Sequence, residues 1–126
     1  MAKRKLTVRT GTAQDFFDHA SVAARRLDRG EKPGGGITLI FADPRRMFAV
    51  LSDQRQRLMR TLLNEPQTVA QLTQRLKRDR ATVAKDVRML EQAGLVVTQR
   101  EPNPGHGVRT MVVPIAAKIE LVATLA

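Results

Sequence analysis

Two runs, Thr68-Val-Ala-Gln-Leu-Thr-Gln-Arg-Leu76 and Arg80-Ala-Thr-Val-Ala-Lys-Asp-Val-Arg-Met-Leu-Glu-Gln-Ala-Gly-Leu-Val96, are separated only by Lys77-Arg78-Asp79. In the first, Thr68 and Gln71 have the spacing of a capping box, and Val69, Leu72 and Leu76 share one face of the short helix it opens. In the second, Asp79 is an N-cap, Val83, Val87 and Leu90 line one side, and Gly94 is where a left-handed cap stops the helix. That register puts Ala81, Lys85, Arg88 and Gln92 on the opposite side. Two helices joined by so tight a turn read as a helix-turn-helix.

The flanks extend this unit. Upstream, Ser52 caps a helix whose apolar stripe is Leu58, Met59, Leu62 and Leu63, with Pro66 at its exit. Downstream, Leu95 to Arg100 and Val108 to Val113 read as a hairpin around the Pro/Gly-rich tip Glu101 to Gly107. Helix, helix, tight turn, helix and hairpin is the order in which a last helix enters the major groove while the hairpin projects as a wing towards the backbone or minor groove. Between Arg75 and Arg88 stand Arg75, Lys77, Arg78, Arg80, Lys85 and Arg88 against Asp79 and Asp86, so the basic excess coincides with the turn and the expected reading helix. Lys85 and Arg88, with Ala81 beside them, are the candidates for base edges. Arg78, Arg80 and Thr82 at the helix start are candidates for phosphates, and Arg100, His106 and Arg109 are the wing contacts. Lys77, Arg55, Arg57 and Arg60 rank below these. The competing reading of Lys85 and Arg88 is a solvated helix face, and that of the whole head is a protein-docking module.

Lys5 to Thr10 alternates as a half-buried strand does, and Thr12 followed by Asp15 opens a helix from about Ala13 to Arg29. Phe16, Phe17, Ala20, Ala23, Ala24 and Leu27 recur along it at helical spacing. Glu31 to Gly36 breaks the pattern, and Ile37 to Phe41 is a second strand. Asp43-Pro44 starts a short helix expected to carry Met47, Phe48 and Leu51 inward. Phe16, Phe17, Phe41 and Phe48 are expected in a core or a dimer interface. After Pro114, Ile119, Leu121, Ala123 and Leu125 alternate as a last strand, with a helix as the alternative. The expected fold is α+β: a strand-helix-strand extension over 1–49, a winged helix over 50–116 and a tail over 117–126.

With 126 residues, 42% of them hydrophobic, the chain is long enough for one real core with an appendage. It has no cysteine, which excludes disulfides, a thiol nucleophile and thiolate zinc sites. His19 and His106 have no acid-base partner or ligand spacing near them, so no catalytic residue, metal or cofactor is expected and the chain does not read as an enzyme. Gly34-Gly35-Gly36 lacks the Gly-Lys-Ser/Thr of a phosphate loop and reads as a linker. No aromatic residue other than four phenylalanines is present, which argues against a base-stacking reader of single strands. With 22 Lys plus Arg against 12 Asp plus Glu, the net charge of +10 makes a polyanion the first partner to consider. No apolar run reaches the length of a bilayer span, so the expectation is a cytoplasmic protein without a membrane partner.

The Thr68–Leu76 and Arg80–Val96 runs resemble the reading head of winged-helix transcriptional regulators of the MarR and ArsR type. The likeness extends to a group of small prokaryotic predicted regulators in which a strand-helix-strand precedes the head and a Val-Pro-x-x-x-x-Ile-Glu tail follows the wing, here Val113-Pro114 through Ile119-Glu120. The resemblance implies double-stranded DNA as partner and a homodimeric repressor, with Phe16, Ala20, Ala24 and Leu27 as candidate interface residues. It also implies an alternative, an antitoxin-like module that neutralises a toxin or other protein partner through Ala13 to Gly36. Two positions depart from the pattern: Lys77 stands where many such heads have glycine, and Thr73 follows Leu72 where alanine is usual. The cysteine and histidine clusters of metal-sensing relatives are missing.

Overall fold

The computed structural model describes residues 5–30 and 36–123. Of the expected Gly34-Gly35-Gly36 linker, Gly34 and Gly35 lie outside the described residues, as does the tail residue Leu125, and Gly36 is the first residue of a strand. The elements are β1 (Lys5–Thr10), α1 (Ala13–Asp28), β2 (Gly36–Phe41), α2 (Pro44–Val50), α3 (Asp53–Asn64), β3 (Gln67–Thr68), α4 (Val69–Leu76), α5 (Arg80–Gln92), β4 (Val96–Pro102), β5 (Val108–Pro114) and β6 (Lys118–Val122). They divide into two units. One comprises Met1–Ala49 with Lys118–Ala126, and the other comprises Val50–Ala117.

The Val50–Ala117 unit is a winged helix-turn-helix. Each helix starts where a side chain satisfies the orphan amides of the first turn. Ser52 caps α3, Thr68 and Gln71 form a reciprocal capping box on α4, and the Asp79 carboxylate accepts the Thr82 amide of α5 at 3.2 Å. The apolar stripes these caps set in register converge. Leu58, Leu62, Leu72, Val83, Leu90, Leu95 and Val112 are completely buried, each contributing about 1.5 to 3 kcal/mol of transfer free energy. β4 and β5 pair antiparallel from Val96↔Pro114 to Pro102↔Val108, and β3 adds two residues to the outer side of β5. The hairpin strand β4 therefore runs two residues beyond the expected Arg100. The two-residue β3 was not expected, since a run so short has no period to detect.

α4 and α5 end alike. At α5, Gly94 lies at φ 85°, its amide donates to the Glu91 carbonyl at 3.0 Å, and the Leu95 amide donates to the Leu90 carbonyl at 2.9 Å. At α4 the same pair of bonds runs from Lys77 to Gln74 and from Arg78 to Thr73, both at 3.3 Å. The left-handed residue there is Lys77, at φ 51° and ψ 47°. A Cβ in this region costs roughly 1 to 2 kcal/mol, which is why glycine is the usual occupant. Thr73, the other departure, donates its hydroxyl to the Val69 carbonyl one turn back at 2.9 Å, so it enters the helix without an unsatisfied group.

The other unit is built on a parallel three-stranded sheet of order β2-β1-β6. Its last strand comes from the C-terminal tail, so Lys118–Val122 is a strand and joins the N-terminal elements in one sheet instead of standing apart. Register aligns Leu6 with Ile37 and Ile119, and Val8 with Leu39 and Leu121, giving one apolar face on which Leu6 and Val8 are completely buried. The opposite face is more polar, and across its ends Lys5 binds Glu120 at 2.9 Å. α1 links β1 to β2 and starts with a Thr12–Asp15 capping box, yet none of its residues is buried. Phe16 and Phe17, at 57% and 62% exposure, are therefore not core residues of the single chain, which removes the core alternative of the expected packing. Phe48, expected inward, is corrected. Met47 takes the buried side of the short α2, and Phe48, one residue on, is turned about 100° away and is 48% exposed.

Candidate nucleic-acid interface

α5 divides by face. Val83, Asp86, Val87 and Leu90 are buried, whereas Arg80, Ala81, Thr82, Lys85 and Arg88 are exposed. Arg80, Lys85 and Arg88 have no carboxylate within ion-pair distance among the described residues. The acids of the region are committed elsewhere. Asp79 caps the helix, and Glu91 accepts both the amide and the hydroxyl of Thr98, at 3.1 and 2.5 Å, tying the end of α5 to the wing strand β4.

Asp86 faces inward. Its carboxylate receives Arg55 Nε of α3 at 3.1 Å and Arg78 Nη1 from the α4–α5 turn at 2.7 Å, while Arg55 also donates to the Val50 carbonyl and to Met89 Sδ. A carboxylate among apolar neighbours needs such partners, since burying it alone is far costlier than burying the pair. Arg78, expected on phosphates, is thus ion-paired within the head, with its side chain 21% exposed. This triad was legible in principle, because Asp86 falls between Val83 and Leu90 on the core side of the wheel and a charge there demands partners.

The wing tip turns through Asn103 and Gly107, with the Asn103 amide on the Gly107 carbonyl and the His106 amide on the Asn103 carbonyl, both at 2.8 Å. Between this tip, the start of α4 and the start of α5 lies a concavity of about 540 Å³. Arg80, His106 and Arg109 line it together with Asn103 and the Thr68–Gln71 turn. The N-terminus of α4, with its positive dipole end, adds to a cationic rim suited to an anion. Arg109 is also held by its cross-strand neighbour Glu101, Nη2 to Oε2 at 3.1 Å. Arg100 is exposed on β4, opposite Thr110 on β5, and does not line the concavity. Of the expected contacts, the structure gathers Arg80, His106 and Arg109 around one hollow and sets Ala81, Thr82, Lys85 and Arg88 on one exposed helix. Asn103 and the α4 turn were not singled out from sequence, since loop and cap residues reveal such a position only once the hairpin is folded back.

The family model of HVO_A0114 matches residues 50–116, more than half of the chain and nearly the whole winged-helix unit. The chain belongs to the HVO_A0114 family. No curated protein matches this chain in sequence. Among solved structures, HlyU from Vibrio cholerae N16961 is similar at 19% identity, covering 54% of this chain and 70% of that one with a TM-score of 0.47. Reduced HlyU from the same organism is similar at 17% identity, covering 79% and 80%, with a TM-score of 0.47. Among the described residues of this HVO_A0114 member, no group of three or more His, Cys, Asp or Glu is placed to hold a metal ion, and no helix is long and apolar enough to cross a membrane.

Proposed function

We propose that the chain is a sequence-specific, double-stranded DNA-binding transcriptional regulator of the MarR/ArsR-like kind, a repressor acting as a homodimer. The observation that carries this reading is the exposed face of α5, which bears Arg80, Lys85 and Arg88 with no ion-paired acid among the described residues and borders a hollow rimmed by Arg109 and His106. α5 lies in the major groove, where Lys85 and Arg88 donate to guanine edges and Ala81 sits against the bases. Arg80, Thr82, Arg109 and His106 hold backbone phosphates, Arg100 reaches the backbone farther along the wing, and Asp86 with Arg55 and Arg78 keeps α5 at its angle. Two copies on a pseudo-palindrome supply the length of contact that one small head lacks, and the occupied promoter is closed to polymerase.

Lys85→Ala and Arg88→Ala test the division of labour. Each is expected to weaken binding to the preferred duplex by about 1 to 3 kcal/mol while leaving binding to random duplex nearly unchanged. Arg109→Ala is expected to weaken both and to flatten the salt dependence. Equal losses on both duplexes from all three variants, read by fluorescence anisotropy, would contradict the assignment of α5 as the reading element.

A further inference from the structure

We propose that Glu101 is a positioning residue for Arg109, holding its guanidinium ready for a phosphate in the hollow, so that removing this acid weakens duplex binding; the inference rests on the DNA-binding reading above. Glu101 is the only acid in the sequence from Leu95 to Pro114, and it stands on β4 directly opposite Arg109 on β5. By charge alone, an acid beside a phosphate contact opposes binding. The geometry gives Glu101 the other effect.

Both bonds of the pair fall on one edge of the guanidinium. Arg109 Nε and Nη2 donate to the same oxygen, Glu101 Oε2, at 3.2 and 3.1 Å. The edge formed by Nη1 and Nη2 keeps two N–H groups without a partner among the described residues, and this edge can take a second oxyanion through two parallel bonds. Arg109 lines the hollow, whereas neither Glu101 nor any other acid among the described residues does. A phosphate seated beside Arg80 and His106 therefore meets the open edge of Arg109, with the carboxylate on its other edge.

What the pair supplies is order. With side chains 45% and 36% exposed, it adds little to the stability of the fold. A free arginine gives up rotamer freedom when it docks, whereas a guanidinium already pinned has given up part of it before DNA arrives. The ladder continues past the pair to Pro102↔Val108, so paired strand fixes the backbone beneath both residues.

Anisotropy of the full chain on the preferred and random duplexes tests this, with an unchanged thermal midpoint showing that each variant folds. Glu101→Ala is expected to weaken binding to both duplexes by about threefold to tenfold, although it raises the net charge by one. Glu101→Gln, which removes the charge and keeps an acceptor oxygen, should stay within about twofold of wild type, and in an Arg109→Ala background Glu101→Ala should cost nothing further. On the free protein, the heteronuclear NOE of the Arg109 Nε–H should report an ordered group in wild type and Glu101→Gln and a mobile one in Glu101→Ala. Equal tightening by both Glu101 variants, a loss that persists without Arg109, or an Nε–H mobile in wild type would overturn the proposal. Wild-type duplex binding that Glu101→Ala leaves undiminished overturns the positioning role and leaves the DNA reading standing, whereas an ordered Nε–H in a wild-type chain that binds no duplex condemns the DNA reading alone.

Discussion

The winged-helix unit and the sheet unit have the same charge balance, eleven Lys plus Arg against six Asp plus Glu in each, and differ in what they do with their apolar and charged side chains. In the first, every helix from α3 to α5 turns a stripe inward, and the acids near α5 are consumed by caps, by the wing and by Arg55 and Arg78. In the second, β1 buries Leu6 and Val8, but α1 buries nothing. Net charge alone therefore does not distinguish the two units. The distinction comes from which cations lack internal partners and which apolar faces lack cover.

The largest effect expected from this contrast is on stability. Leu72→Ala should cost about 2 to 5 kcal/mol in denaturant unfolding, whereas Leu27→Ala, a deletion of the same size, should cost less than about 0.5 kcal/mol at concentrations where the chain is monomeric. Comparable losses would mean that α1 is covered within the chain after all. Asp86→Ala comes next. Removing one partner of a buried pair costs about 3 to 5 kcal/mol, but Arg55 and Arg78 keep 13% and 21% side-chain exposure, which lets water compensate and brings the expected loss to about 2 kcal/mol. Affinity for the preferred duplex should fall with it, measured below the melting temperature, because α5 loses its tie to α3.

A smaller effect compares the two helix ends. Lys77→Gly should stabilise by about 0.5 to 1 kcal/mol, and Gly94→Ala should destabilise by a similar amount, since both positions are left-handed and only one already has glycine. The smallest is a difference in pH response between two capping boxes. The Thr12 amide and hydroxyl hold the Asp15 carboxyl below its ordinary value, so its contribution is present above the usual aspartate range and is lost as pH falls through the lowered value. The box on α4 uses the uncharged Gln71. Amide exchange in the first turn of α1 should therefore speed up on acidification relative to base-level exchange, while the first turn of α4 should not.

The winged helix was legible because its signals agree at several levels: the Thr68 and Gln71 box, the Val83, Val87 and Leu90 stripe, the Gly94 stop and the hairpin all point to one arrangement. The inward Asp86 triad was legible only through the burial of its neighbours, since charge counting treats Asp86 and Arg78 as surface residues. α1 misled for the opposite reason. Its stripe has the period of a buried face, and periodicity reports that a face is apolar without saying which molecule covers it. The tail strand β6 showed its alternation, but pairing with β1 across most of the chain is a long-range contact that no local pattern encodes.

The most direct test of the central claim is selection of duplexes from a randomised pool by the intact protein, followed by anisotropy of the winner and a scrambled duplex across a salt series. The account predicts enrichment of an inverted repeat with half-sites about one helical turn apart, preferred by roughly a thousandfold, with the preference holding near physiological salt. No enriched sequence, with both duplexes binding alike and dissociating together as salt rises, would contradict it and reduce the basic face of α5 to nonspecific attraction.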